Sequence, residues 1–255
     1  MKRPPVYLIF TLLFCPPPAF SNPITMSELG GVLKMEYNRV FTNCFEFETN
    51  GGMEILRFLN LEGGISVGSI GPTLDFNSYA RLGVQPLSFI QESGLIPSWT
   101  EGSRSESKVR ALRWLTPLQL NLNYIHNNIP DFKTSIHSII PYLSWEGRRA
   151  GISLGINFRY TVFNYEAPID ESIFVFSLYL NLINNQQVKL GIRYANFNNF
   201  LSGNMGSYSL SLYSSYQVWK ILYLRNDIEL LQTGSVGLAA NFYGVRYTGG
   251  VAFRW

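Results

Sequence analysis

From Ile152 to Val162 every second residue is apolar: Ile152, Leu154, Ile156, Phe158, Tyr160 and Val162, separated by Ser153, Gly155, Asn157, Arg159 and Thr161. A helix that gathered Ile152 and Ile156 on one face would set Arg159 beside them, so the period is that of a strand. The same alternation returns in Leu118, Leu120, Leu122 and Tyr124, in Val188, Leu190, Ile192 and Tyr194, in Tyr208, Leu210 and Leu212, and in Leu74, Phe76, Ala80 and Leu82. A chain governed by this period folds as strands with two unlike faces.

Segments of this kind run over 33 to 48, 55 to 69, 73 to 84, 111 to 125, 135 to 145, 151 to 163, 172 to 182, 187 to 197, 206 to 218, 220 to 231, 235 to 243 and 245 to 255. That predicts about twelve strands, or ten if 235 to 255 is one strand and another segment is lost. Turn chemistry separates them at Gly71-Pro72, Glu146 to Gly151, Asn184-Asn185 and Ser202-Gly203-Asn204. Gly63-Gly64 and Gly249-Gly250 fall inside strand patterns and read as kinks or bulges. Residues 85 to 110 read as a long solvated loop, charged at its end by Glu101, Arg104, Glu106, Lys108 and Arg110. Counted from the first strand, that loop is external, and the short turns at 146 to 150 and 183 to 187 then also fall outside, against the usual short-inside, long-outside rule.

Which face meets water is decided by composition. Apolar residues make up 46% and charged residues 15%, with 22 Gly, 15 Tyr and 18 Phe. The aromatic content excludes disorder. No stretch beyond the first 20 residues reaches the roughly 18 apolar residues that a spanning helix needs, and no heptad supports a coiled coil. The polar faces hold mostly Ser, Asn, Gly, Gln and Tyr, which suit a wet interior better than a solubilising exterior. Aromatics gather near segment ends, as in Trp99, Trp114, Trp145, Phe163, Tyr165, Trp219, Tyr243, Tyr247, Phe253 and Trp255, where a girdle at lipid headgroups places them. In hydrocarbon every unpaired backbone group costs several kcal/mol, so such strands span only as a closed antiparallel β-barrel.

The first 21 residues read as a signal peptide: Lys2 and Arg3, an apolar run from Val6 to Cys15, and a small-x-small site at Ala19-Phe20-Ser21. Residues 22 to 255 then form one barrel domain with Cys44 as its only cysteine, so no internal disulfide forms. Phe14 before Cys15 and the three prolines after it argue against a lipoprotein signal. Tyr247, Gly249, Val251, Phe253 and Trp255 share one face of the last segment, opposite Arg246, Ala252 and Arg254. This resembles the closing strand of bacterial outer-membrane β-barrel proteins of the small porin-like class, with Trp in place of the more usual terminal Phe. The resemblance implies that Tyr247, Val251, Phe253 and Trp255 serve as an assembly signal for the barrel-assembly machinery. It also implies the outer membrane of a diderm bacterium as location and outer-membrane lipid as surroundings.

Function then depends on the lumen. Assigning polar faces inward gives Lys34, Arg81, Arg159, Lys189, Arg193, Arg225, Arg246 and Arg254 against Glu36, Asp75, Asp227 and Glu229, eight positive against four negative. The whole chain carries a formal charge of only +3, two of it from Lys2 and Arg3. An excess of lumenal base biases a water-filled pore toward anions. The reading is a narrow, weakly anion-preferring channel for small polar or anionic solutes. Alternatives are a barrel plugged by its own ion pairs, structural or adhesive, and an outer-membrane lipid hydrolase. The hydrolase would need a nucleophile, base and orienting group. Only His126, read as lying in an Asn127-Asn128 turn, and His137 are available, with Ser135 on the same face as His137 and Ser138 on the other. Two histidines and one cysteine, far apart in sequence, match no metal spacing. No cofactor motif occurs, and no basic stripe suits nucleic acid.

Overall fold

The computed structural model describes residues 24–38, 44–55, 58–70, 73–88, 117–164, 167–185, 187–197, 207–233 and 241–255. The segment read as a signal peptide, the expected turn at Gly71-Pro72 and most of the expected 85 to 110 loop lie outside them. The strands are β1 (Ile24–Asn38), β2 (Cys44–Ile55), β3 (Leu59–Ile70), β4 (Thr73–Val84), β5 (Leu118–Ile129) and β6 (Thr134–Glu146). They continue as β7 (Ala150–Val162), β8 (Ile169–Asn184), β9 (Val188–Ala195), β10 (Ser207–Gln217), β11 (Leu222–Thr233) and β12 (Asn241–Arg254). Each pairs antiparallel with its chain neighbours, and β1 pairs with β12 from Glu28 opposite Arg254 to Asn38 opposite Gly244. The twelve-stranded barrel is therefore closed, and Trp255 ties into the seam through Ser27 N–H to Trp255 O (2.8 Å) and the reciprocal bond (3.0 Å).

The strand number matches the sequence reading, but its division does not. The segment read as 33 to 48 holds the end of β1 and the start of β2, and the break expected between 243 and 245 falls inside one strand, β12. The structure has one strand more near the N-terminus and one fewer near the C-terminus than the sequence reading, which moves the short turns to the other end of the barrel. The connections 147–149, 185–187 and 218–221 lie at the end that holds both termini, as short inner turns should. β4 ends at Val84 and β5 begins at Leu118 at that same end, contrary to the external junction expected for residues 85 to 110. The glycine pairs do not form bulges either: register runs unbroken through Gly63-Gly64 and Gly249-Gly250, and the shifts fall at Ile24/Met26, Asn181/Ile183 and Leu231/Gln232.

The two faces are inverted relative to a soluble protein. Leu33, Phe47, Ile65, Leu120, Leu154, Phe174 and Leu180 are all exposed, while Lys34, Glu48, Asn77, Asn123, Ser138, Asn157 and Glu229 are buried. Exposed apolar rows meet lipid, and the polar rows fill the interior. On the β4 to β8 side these polar residues share the interior with an apolar cluster of Tyr79, Ile125, Ile140, Tyr142 and Val175, with Phe197 packed against it. A hydrogen-bonded cylinder of this kind resists detergent until heated, so unheated and boiled samples should migrate differently on a gel. Identical migration with a helical circular dichroism spectrum would contradict the fold.

Candidate functional site

The charged side chains meet because antiparallel register sets them opposite one another on the inward face, where opposed charges attract. Lys34 stands opposite Glu46, Glu36 opposite Arg246, Arg246 opposite Glu229, Glu62 opposite Arg81, and Arg159 opposite Glu171. Lys34 Nζ lies 2.7 Å from Glu48 and 3.3 Å from Glu46. Arg246 donates through Nε (3.0 Å) and Nη2 (2.6 Å) to Glu36 and through Nη1 (3.1 Å) to Glu229. Glu229 is shared with Arg193, which also reaches Asp227 at 2.6 Å and Ser211 at 3.3 Å.

Toward the end with the termini, Glu28 receives Arg225 on one oxygen and Arg254 on the other, the latter at 2.7 Å. Arg81 pairs with Glu62 and donates to the Tyr142 hydroxyl at 3.2 Å. Near the opposite end Arg159 lies 3.7 Å from Glu171, and Asp75 accepts from Asn77 at 3.0 Å.

Lys189 differs from these. Among the described residues no carboxylate lies within ion-pair distance of it, and its ammonium stands 5.8 Å from the ring centroids of both Tyr179 and Tyr213. Both rings lie flat across glycines, Tyr179 over Gly151 and Tyr213 over Gly191, where any Cβ would collide with the ring. Tyr213 thereby reaches across β9 to hydrogen-bond Asn181 on β8 at 2.6 Å.

The lumen holds a cavity of about 1020 Å³ whose lining includes Lys34, Arg81, Lys189, Arg193, Arg225 and Arg254 against Glu48, Glu146, Asp227 and Glu229. Six basic against four acidic side chains leave two positive charges in excess. A smaller cavity of about 330 Å³ near the terminal end is lined by Glu28, Asn50, Glu54, Glu62, Arg225 and Arg254 among others. Phe197, also on the large cavity, meets Tyr142 edge-on at 5.5 Å between centroids.

Of the residues singled out in sequence, Arg81, Lys189, Arg193 and Arg225 line the large cavity, while Arg159 and Asp75 face inward without lining it. Tyr247, Val251, Phe253 and Trp255 form an exposed outward row on β12 and at its end. The expected excess of four positive charges is corrected. Glu28, Glu46, Glu48, Glu54, Glu62, Glu146 and Glu171 join the inward set, giving eleven acids against eight bases, and the positive excess survives only on the large cavity's surface. Glu46 and Glu48 share the even parity of Lys34 and Glu36 and were countable in sequence; their pairing was not, because a continuous 33 to 48 strand carries them far from Lys34, whereas the β1–β2 hairpin folds them back beside it. His126 is not in a turn: it lies within β5, directly opposite His137, so the histidines are not widely separated in space.

No protein-family model matches the sequence, and no curated protein matches it. Among solved structures, the chain is similar to the KdgM porin in complex with disordered oligogalacturonate, at TM-score 0.52 and 6% identity over 89% of this chain and 98% of that one. It is likewise similar to the NanC porin, at TM-score 0.50 and 9% identity over 88% of this chain and 98% of that one. At these identities the likeness is one of fold: the chain has the closed twelve-stranded barrel of outer-membrane porins.

Proposed function

We propose that this protein is an outer-membrane channel that passes small polar solutes by diffusion, with a weak preference for anions. The observation that carries this reading is the cavity of about 1020 Å³ with a charged lining, enclosed by a wall whose outer face is apolar. Bases and acids already paired in the wall are held in place without a ligand, so the two surplus positive charges on the cavity surface set the field a solute meets. Lys189, whose charge no described carboxylate neutralises, is the strongest single contributor. One porin of the same fold is in complex with oligogalacturonate, which makes an acidic saccharide the first solute to test here. Proteoliposomes containing the refolded barrel should admit a short acidic saccharide faster than a neutral one of equal size. Equal exclusion of both would support a second reading, a barrel closed by its own contents, which the apolar cluster behind Phe197 favours.

The same reading places the protein in the outer membrane, delivered through a cleaved signal peptide and inserted by the barrel-assembly machinery. Trp255 and Phe253 face outward at the closing seam, where a recognition element is accessible before the barrel shuts. Trp255→Ser with Phe253→Ser should lower the amount of protein reaching the outer membrane and leave material in the periplasm. Unchanged outer-membrane levels of the double variant would show that the terminal strand is not the signal.

A further inference from the structure

The two histidines of the chain meet on the outer wall of the barrel, away from the lumen. The short connection through Pro130–Phe132 sets the β5–β6 register so that His126 lies directly opposite His137. Their rings stack 4.7 Å apart with an interplanar angle of 11°. Both present the same atom to one point: His126 Nε2 lies 2.8 Å, and His137 Nε2 3.3 Å, from the Ser135 hydroxyl. The Tyr124 hydroxyl meets the other nitrogen of His137, Nδ1, at 2.9 Å. Tyr124 and Ile139 beside them are exposed on the lipid-facing side, and the pair lies close to the turn at the end opposite the termini, within reach of water and headgroups.

A neutral imidazole has one donor and one acceptor nitrogen. In the tautomer whose Nδ1–H donates to Tyr124, the His137 Nε2 lone pair points to the Ser135 hydroxyl, and a second ring nitrogen held in this way is the arrangement that orients a metal-ligating histidine. We propose that His126 and His137 form a two-imidazole site for a transition-metal dication such as Cu²⁺, Ni²⁺ or Zn²⁺, with water or the Ser135 hydroxyl completing the coordination. The two rings turn out of their parallel stack so that each in-plane Nε2 lone pair points at an ion lying beside the Ser135 hydroxyl, at about 2.0–2.1 Å, and the ion clips β5 to β6. Imidazole suits these ions, and Cu²⁺ binds tightest among them. Ser135 as a nucleophile accounts for less: that chemistry uses one base, and the second imidazole aimed at the same oxygen has no part in it. The site is independent of what passes through the lumen.

Untagged full-length mature barrel, refolded in detergent, tests this directly. Cu²⁺ titration should saturate at one ion per barrel, with an electron paramagnetic resonance spectrum showing two nitrogen ligands. Because the chain has only two histidines, saturating Zn²⁺ should protect both from diethyl pyrocarbonate in the unaltered protein, a readout that needs no variant. His126→Asn or His137→Asn should abolish binding, Tyr124→Phe should weaken it about tenfold as a positioning residue, and Ser135→Ala should retain it. Absence of protection, or binding that survives the double histidine variant, would overturn the proposal. So would covalent capture of Ser135 by a fluorophosphonate, dependent on His126, in protein that binds no metal.

Discussion

Arg246→Ala is expected to destabilise the barrel by about 3 to 5 kcal/mol, the cost of removing one partner of a buried ion pair. Arg246 is the centre of the wall, with a side chain 12% exposed and three hydrogen bonds to Glu36 and Glu229, whose own side chains are 18% and 6% exposed. Truncation removes the guanidinium that bridges Glu36 and Glu229 on the two flanking strands, leaves Glu229 with Arg193 at 3.4 Å, and takes a tie from the β1–β12 seam. Arg246→Lys should recover only part, because an ammonium cannot reproduce the forked contact to two strands. Arg148→Ala, at an exposed position in the β6–β7 turn, should change stability by less than about 0.5 kcal/mol. Urea unfolding in lipid vesicles measures all three, and equal midpoints for Arg246→Ala and Arg148→Ala would show that the network adds no stability.

The second large effect concerns ion preference. Lys189, Arg225 and Arg254 supply three of the six basic side chains on the large cavity. Converting all three to Gln leaves three bases against four acids, so a surplus of two positive charges becomes a deficit of one. The reversal potential under a salt gradient should move from the anion side to the cation side. The shift should be largest in dilute salt and fade near 1 M, where the screening length falls to about 3 Å. Lys189→Gln alone should give a disproportionate share, since removing Arg225 or Arg254 also releases part of Glu28. A reversal potential that ignores all three changes would mean that these residues do not face the conducting path.

Much of the barrel was legible because lipid outside and water inside impose alternation on every strand. β4 runs from Thr73 to Val84, the bounds its pattern predicts, and β7 differs from its expected range by one residue at each end. The N-terminal division is hard to read because Arg39-Val40-Phe41-Thr42-Asn43 holds no glycine or proline; its only mark is a broken alternation, with Arg39 and Asn43 on the apolar parity of their neighbours. At the other end Gly244 looked like a break but sits inside β12, still in register with Asn38 on β1. Charge signs were readable residue by residue, but pairing was not. Whether Glu46 neutralises Lys34, or His126 meets His137, depends on the register of a hairpin, and that is fixed by turn geometry that alternation does not encode.

Planar-bilayer recording of the refolded barrel tests the central claim most directly. The account predicts discrete, uniform conductance steps with a modest anion preference at low salt, at protein levels where the gel shift shows folded barrel. Folded, heat-modifiable protein that inserts and gives no steps would contradict it.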